Sequence, residues 1–144
     1  MSAARAVAVT DPTGRREVPA ALRAVAPLPG LPGLDEFELE PLDDTGVLFA
    51  LRSTSPGGRD VRLFVVEPHT FFPDYAPTVP DQTLELLGVA GEARPTLLVV
   101  VHPADDDRTA PTANLLAPLV VHAGDGRFAQ VVLDGDHPLR APLG

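Results

Sequence analysis

Two histidines and five aspartates of this chain are of the types that ligate divalent metals: His102, Asp105, Asp106, Asp107, Asp134, Asp136 and His137. An ion held by such a set would activate water for hydrolysis. A metal site needs ligands that converge from fixed spacings, and neither His-x-His nor His-Glu-x-x-His occurs. Consecutive aspartates in a loop cannot all point one way, so Asp105-Asp106-Asp107-Arg108 reads as a solvated turn after a strand. Phosphate chemistry fares no better. Pro29-Gly30-Leu31-Pro32-Gly33 is glycine-rich, but it lacks the free backbone amides and the following helix of a phosphate loop. No Gly-x-Ser-x-Gly elbow offers a nucleophile. The expectation is therefore a protein that is not an enzyme, with no catalytic residue, no cofactor and no metal.

Composition narrows the class. At 144 residues the chain suits one domain, residues 1–144, around a single core. Hydrophobic residues make up 44% and charged residues 22%, a balance that supports a packed interior rather than disorder. Aromatics are scarce at 5%, so Val, Leu and Ala must fill most of that interior. There is no cysteine, which excludes a disulfide framework and a thiolate zinc site and fits a reducing cytosol. Met1-Ser2-Ala3-Ala4-Arg5 has no signal-peptide core, and no apolar run approaches the ~20 residues of a membrane helix. A soluble, unsecreted, cytoplasmic domain is expected.

Twenty acids face eleven bases, all arginine, for a net charge of -9. An acidic surface repels phosphate backbones, which disfavours direct nucleic-acid binding and suits a basic protein partner. The same charge also serves solubility alone.

The elements that would position these residues are short. Seventeen prolines and twelve glycines break the chain into β-branched runs, the pattern of many short strands. Ala6–Thr10 is the first, closed by the turn-like Asp11-Pro12-Thr13-Gly14. Residues 27–34 form a Pro/Gly loop inside the domain. Residues 37–42 alternate as a half-buried strand does, whereas 46–51 and 61–66 are more continuously apolar and pair across a polar loop. Pro80–Gly88 reads as one short helix, with acids near its start and glycine at its end. Residues 96–102 form the most apolar strand, buried on both faces. Two further runs, one ending at Val121 and one spanning Phe128–Leu133, flank Gly124-Asp125-Gly126 as a β-hairpin, in which Gln130 is expected to face outward. The fold class is all-β with one short helix.

Several stretches together resemble the flagellar assembly factor FliW family. They are Thr112-Ala113-Asn114-Leu115-Leu116-Ala117-Pro118-Leu119-Val120-Val121, then Gln130-Val131-Val132-Leu133, and in the middle of the chain Leu63–Tyr75 with its paired Phe and Asp-Tyr. The turn at residues 30–34 and the ending His137-Pro138-Leu139-Arg140-Ala141-Pro142-Leu143 also follow the family's order. Glu67 stands where the family usually has Asp or Asn, His69 replaces an apolar residue, and Leu34 replaces Phe. The resemblance implies a partly open antiparallel β-barrel. It implies a cytosolic adaptor that binds flagellin and, when free, binds CsrA, a small RNA-binding translational repressor, relieving repression non-competitively. No direct nucleic-acid or membrane contact is expected, and the free protein is expected to be a monomer.

The resemblance also points to protein-binding residues. Phe71, Phe72 and Tyr75 would stand at or just beneath a binding surface; ordinary core filling is the alternative. Asp74 would meet a partner's arginine or cap a turn. Asn114 would fix the backbone of its own loop or touch a partner. After Tyr75 the family usually runs acidic and extended, but Ala76-Pro77-Thr78-Val79 stands here, and Pro77 removes a strand donor. Asp81 and Glu85 on the helix would supply replacement charge or a solvated face. The rival class is a β-barrel that binds a small apolar ligand or serves as an oligomerisation module. In that case the Leu97–Val101 strand would line a cavity.

Overall fold

The computed structural model describes residues 6–11, 14–26, 28, 33–54, 61–88, 95–103, 110–122 and 124–143. Alternating hydrophobicity produces the strands, and their two faces produce two layers of core. β1 (Ala6–Asp11) and β2 (Gly14–Pro19) form a separate antiparallel ribbon, in register from Ala6↔Pro19 to Asp11↔Gly14. The main sheet holds β3 (Ala21–Ala24), β4 (Glu36–Pro41), β5 (Leu48–Ser53), β6 (Arg62–Val66), β7 (Thr96–His102), β8 (Thr112–Ala113), β9 (Leu119–Val121), β10 (Arg127–Gln130) and β11 (Ala141–Pro142). One helix, α1 (Asp81–Leu87), and one 3-10 turn, Pro68–Thr70, complete the regular elements among the described residues.

The expected all-β barrel with one short helix is present, and its ring is closed. β3 to β7 pair in succession, β7 pairs β9, β9 pairs β10, and β10 returns to β3, giving seven strands. The β3–β10 seam is parallel, with Arg127↔Arg23 and Phe128↔Ala24 in register; the other ring pairings are antiparallel. β7 has two neighbours on one edge. Its first half, Thr96–Leu98, pairs β9, and its end, Val101–His102, pairs β8, so the sheet forks between them. β11 lies on β8 and ends the fork.

Inward residues fill the barrel. Phe37, Phe49, Phe128, Leu39, Leu51, Leu98 and Leu119 are fully buried there, joined by Val7, Val9 and Val18 from the ribbon. The Phe37 and Phe128 rings meet edge to face at 5.6 Å, locking β4 against β10. Outward residues of β6, β7, β9 and β10 build a second cluster, Val66, Val99, Val101, Val120 and Ala129. Over it lie Tyr75, Phe72, Val79, Leu84 and Leu87, together with Val131, Leu133 and Ala141. β7 is thus covered on both sides, as its unbroken apolarity requires.

Several boundaries differ from expectation for identifiable reasons. The run beginning at Gly46 becomes a strand only at Leu48, because Gly46 sits at φ +76 and its carbonyl accepts the Thr10 amide at 2.7 Å. A Cβ there would lie 2.5 Å from Thr10 Oγ1, so the turn needs glycine. The hairpin around Gly124-Asp125-Gly126 is β9–β10, but its ladder becomes irregular at Pro118, which has no amide to give. Val131 and Leu133 nonetheless donate to the carbonyls of Pro118 and Leu116. Gln130 does not face outward. It pairs with Leu119 on the inward register of Phe128 and donates to the Ala117 carbonyl at 3.1 Å. The predicted helix forms as expected, ending at Gly88 with φ 74, whose amide returns to Glu85 and Leu84.

Candidate protein-binding site

The segment after β6 is organised by a buried acid. Glu67, 2% exposed, accepts the His69 amide at 2.8 Å and faces His69 Nδ1 at 2.7 Å. Its own amide donates to the Val47 carbonyl at 2.9 Å. The carboxylate therefore caps the 3-10 turn, with Pro68 at its first position. The two residues that depart from the expected pattern, Glu67 and His69, are bonded to each other. Neither was identifiable as a structural pair from residue types alone, because their spacing of two is close only in a turn.

That turn delivers the next residues to different depths. Phe71 and Phe72 both donate to the Pro68 carbonyl, at 3.1 and 2.8 Å. Phe71 is left 41% exposed, Phe72 is half-buried against the outer cluster, and Asp74 is exposed. Tyr75 is 7% exposed, just beneath this surface. Its ring stands edge-on to His137 at 5.8 Å, and its hydroxyl donates to the Leu115 carbonyl at 2.7 Å. Burial pushes the Tyr75 phenol up to about 12. Residues 76–80 carry no regular structure, and Val79 packs against the outer cluster.

Phe71 borders an open apolar groove of about 710 Å³. Its floor is the outward face of β5, β6 and β7, chiefly Leu48, Phe64, Val66 and Val101, and exposed Leu42 lies across from Phe71. At one rim the Thr45 hydroxyl and amide bond Asp43 and hold its carboxyl below the usual range. The Arg62 guanidinium lies 5.3 Å over the Phe64 ring. Beyond Ala50 the same face turns polar, where Arg52 bridges Glu40 at 2.8 Å and Glu38 at 3.3 Å. The groove floor was not assigned from residue types. Its signal was the excess apolarity of residues 46–51 and 61–66, more than a one-sided strand needs.

Asn114 lies apart from this groove, at the fork. Its amide donates to Val100, and its Oδ1 accepts from the Leu116 and Ala117 amides, each at 3.1 Å. It thereby fixes the turn that carries the chain from β8 to β9. The structure thus brings Phe71, Phe72, Asp74 and Tyr75 together, and Asn114 reaches them through its chain neighbours Ala113 and Leu115, which pack with Tyr75, and through the Tyr75–Leu115 bond.

No group of three or more metal-ligating side chains occurs among the described residues, and Asp105–Asp107 lie outside them. No helix among them is long and apolar enough to cross a membrane. The barrel interior is occupied by phenylalanine and leucine rather than open to a ligand.

Residues 10–143 match the family model described as FliW protein. The flagellar assembly factor FliW of Geobacillus kaustophilus strain HTA426 is 37% identical over 109 residues, covering 72% of each chain. That of Bacillus subtilis strain 168 is 30% identical over 119 residues, covering 80% of this chain and 81% of the relative. A crystal structure of the flagellar assembly factor FliW superposes with a TM-score of 0.74 at 26% identity, covering 97% of both chains. Barrel, tail and central Phe-Phe segment therefore sit in one frame, and the chain belongs to the FliW family of flagellar assembly factors.

Proposed function

We propose that this chain is a cytoplasmic, acidic adaptor, a single-domain monomer when free, that binds flagellin and, once released from it, binds CsrA. Binding CsrA would relieve its repression of flagellin translation non-competitively, from a surface away from the RNA. The observation that carries this reading is the half-exposed Phe71 standing over an apolar groove, with Asp74 exposed beside it. An aromatic anchor at the edge of an apolar groove is the usual centre of a protein interface. Phe71, Phe72 and Asp74 would make contact, Tyr75 would hold them from below, and Asn114 would shape the neighbouring turn. The net charge of -9 favours basic partners and speeds encounter. The barrel interior, filled by phenylalanine and leucine, supports a protein-binding surface over a ligand held inside the barrel.

Calorimetric titration with cognate flagellin and, separately, cognate CsrA tests the proposal. Binding to both supports partner switching. Binding to flagellin alone makes the chain a chaperone and ties the Ala76–Val79 segment to lost regulation. Binding to neither overturns the reading.

A further inference from the structure

The groove beside Phe71 has walls of unequal strength. One is the loop of residues 42–47, where the Leu42 amide donates to Leu48 at 3.0 Å and the Thr45 hydroxyl to Asp43 at 2.6 Å. Neighbouring elements bond into that loop as well. The Glu67 amide reaches the Val47 carbonyl, the Thr10 amide reaches Gly46, and the Thr10 hydroxyl reaches Thr45. The Pro68–Thr70 turn that carries Phe71 is fastened by the Glu67 carboxylate. Across the sheet face, beyond β7, the wall is the chain's own C-terminal strap. There Leu143 lines the groove beside Pro111 and packs against the outer cluster.

The strap is held lightly. Across residues 134–143, Ala141 is buried, His137 and Leu143 are half-buried, and the others are exposed. β11 is two residues long and rests on a β8 of two residues. Within that ladder Pro142 faces Thr112 with no amide to give. Beyond it, the Leu143 amide donates to Pro111 at 2.9 Å and the Leu115 amide to the Pro138 carbonyl at 3.0 Å. Arg140 makes no side-chain hydrogen bond or ion pair among the described residues. The near end is firmer, because the His137 ring stands against Tyr75 and Pro138 is bonded to Leu115. Residues 139–143 are therefore the part that opens at least cost. Opening takes Leu143 out of the groove and bares the edge of β8 next to Val101, which lies on the groove floor.

We propose that residues 139–143 are an autoinhibitory strap, with Leu143 seated in the groove that flagellin needs, and that flagellin binds by displacing it. This deepens the reading above and rests on it. The apparent affinity falls by the fraction of chains whose strap is open, so the strap sets how much free flagellin the chain ignores.

Thr112 and Pro142 face each other across the ladder, at a separation a disulfide can span, and the chain has no cysteine of its own. Thr112→Cys/Pro142→Cys therefore pins the strap when oxidised and frees it when reduced. Calorimetry with cognate flagellin compares the two states, with the unaltered chain as reference in the same buffers and circular dichroism as the check on folding. The reduced variant is expected to bind within about threefold of the unaltered chain. The oxidised variant is expected to bind about tenfold or more weakly, and to recover on reduction. Equal or tighter binding by the oxidised form overturns the inference.

Amide hydrogen exchange of the unaltered chain tests the same device without a variant. The Leu143 amide is expected to exchange faster than the amides of β6, and to lose further protection at saturating flagellin. Protection gained there would make Leu143 part of the interface and overturn displacement. A chain that binds no flagellin in either redox state overturns the functional reading too, whereas failure of the strap alone shows as equal binding in both states.

Discussion

At the scale of single residues, one hydroxyl and one amide hold the surface in place. Tyr75 is the sole tyrosine and the chain has no tryptophan, so its ultraviolet spectrum reports one site. Burial of the neutral phenol raises its folded value above the unfolded value of 10.0, to about 12. Its contribution to stability is therefore full below pH ~10 and lost as pH rises through ~12. A spectroscopic titration should show no tyrosinate near pH 10 in the folded protein, and ordinary ionisation there would place Tyr75 at the surface. Asn114→Ala strips the acceptor from two backbone amides and is expected to cost about 1–3 kcal/mol in denaturant unfolding. Of the residues named from the sequence, Asn114 was legible because a side-chain amide entering an apolar run has few other uses. The depth of Tyr75 was not. Its partner carbonyl comes from Leu115, forty residues along the chain. The carboxylate of Glu67 was unreadable for a related reason, since only the turn makes it a cap for His69.

At the scale of elements, strands with strong patterns were readable and strands held by their neighbours were not. β4 and β7 follow from alternation and from continuous apolarity. β2, Gly-Arg-Arg-Glu-Val-Pro, is mostly polar because it is one edge of the two-stranded ribbon, and it exists because β1 pairs with it. β8 and β11 are two residues each and are defined only by each other and by β7. The helix was legible from its acid start and glycine stop, but its seven residues are too short to stand alone. Its anchor is Leu87, fully buried in the outer cluster. Leu87→Ala should cost about 2–5 kcal/mol, measured by chemical unfolding. A cost near zero would mean that α1 does not secure the layer over β6, β7 and β9. The groove itself was half legible. Both faces of β5 and β6 were visibly apolar, but which stretch the covering segments leave bare is decided by where the Pro68–Thr70 turn sits.

At the scale of the molecule, charge and closure matter most. A body carrying -9, docked beside an RNA-binding face, would oppose RNA by repulsion as well as by shape. If the chain binds CsrA as proposed and charge contributes, relief of repression should weaken as salt rises from about 50 to 300 mM, where the screening length contracts to several ångströms. An unchanged effect in an RNA-displacement assay would assign inhibition to conformation alone. Closure has a different consequence, and it concerns biosynthesis. The seam that completes the ring joins residues 23–24 to residues 127–128. A nascent chain emerging from the ribosome must therefore carry β3 with an unsatisfied edge until nearly the whole domain has been made, and long-range pairing of this kind forms late and slowly. Chains arrested before β10 should be protease-sensitive and prone to associate through that edge, whereas the released chain is resistant. Pulse proteolysis of stalled chains would reveal it. The moment at which a working barrel becomes available would then be set by the time its own last strands take to arrive.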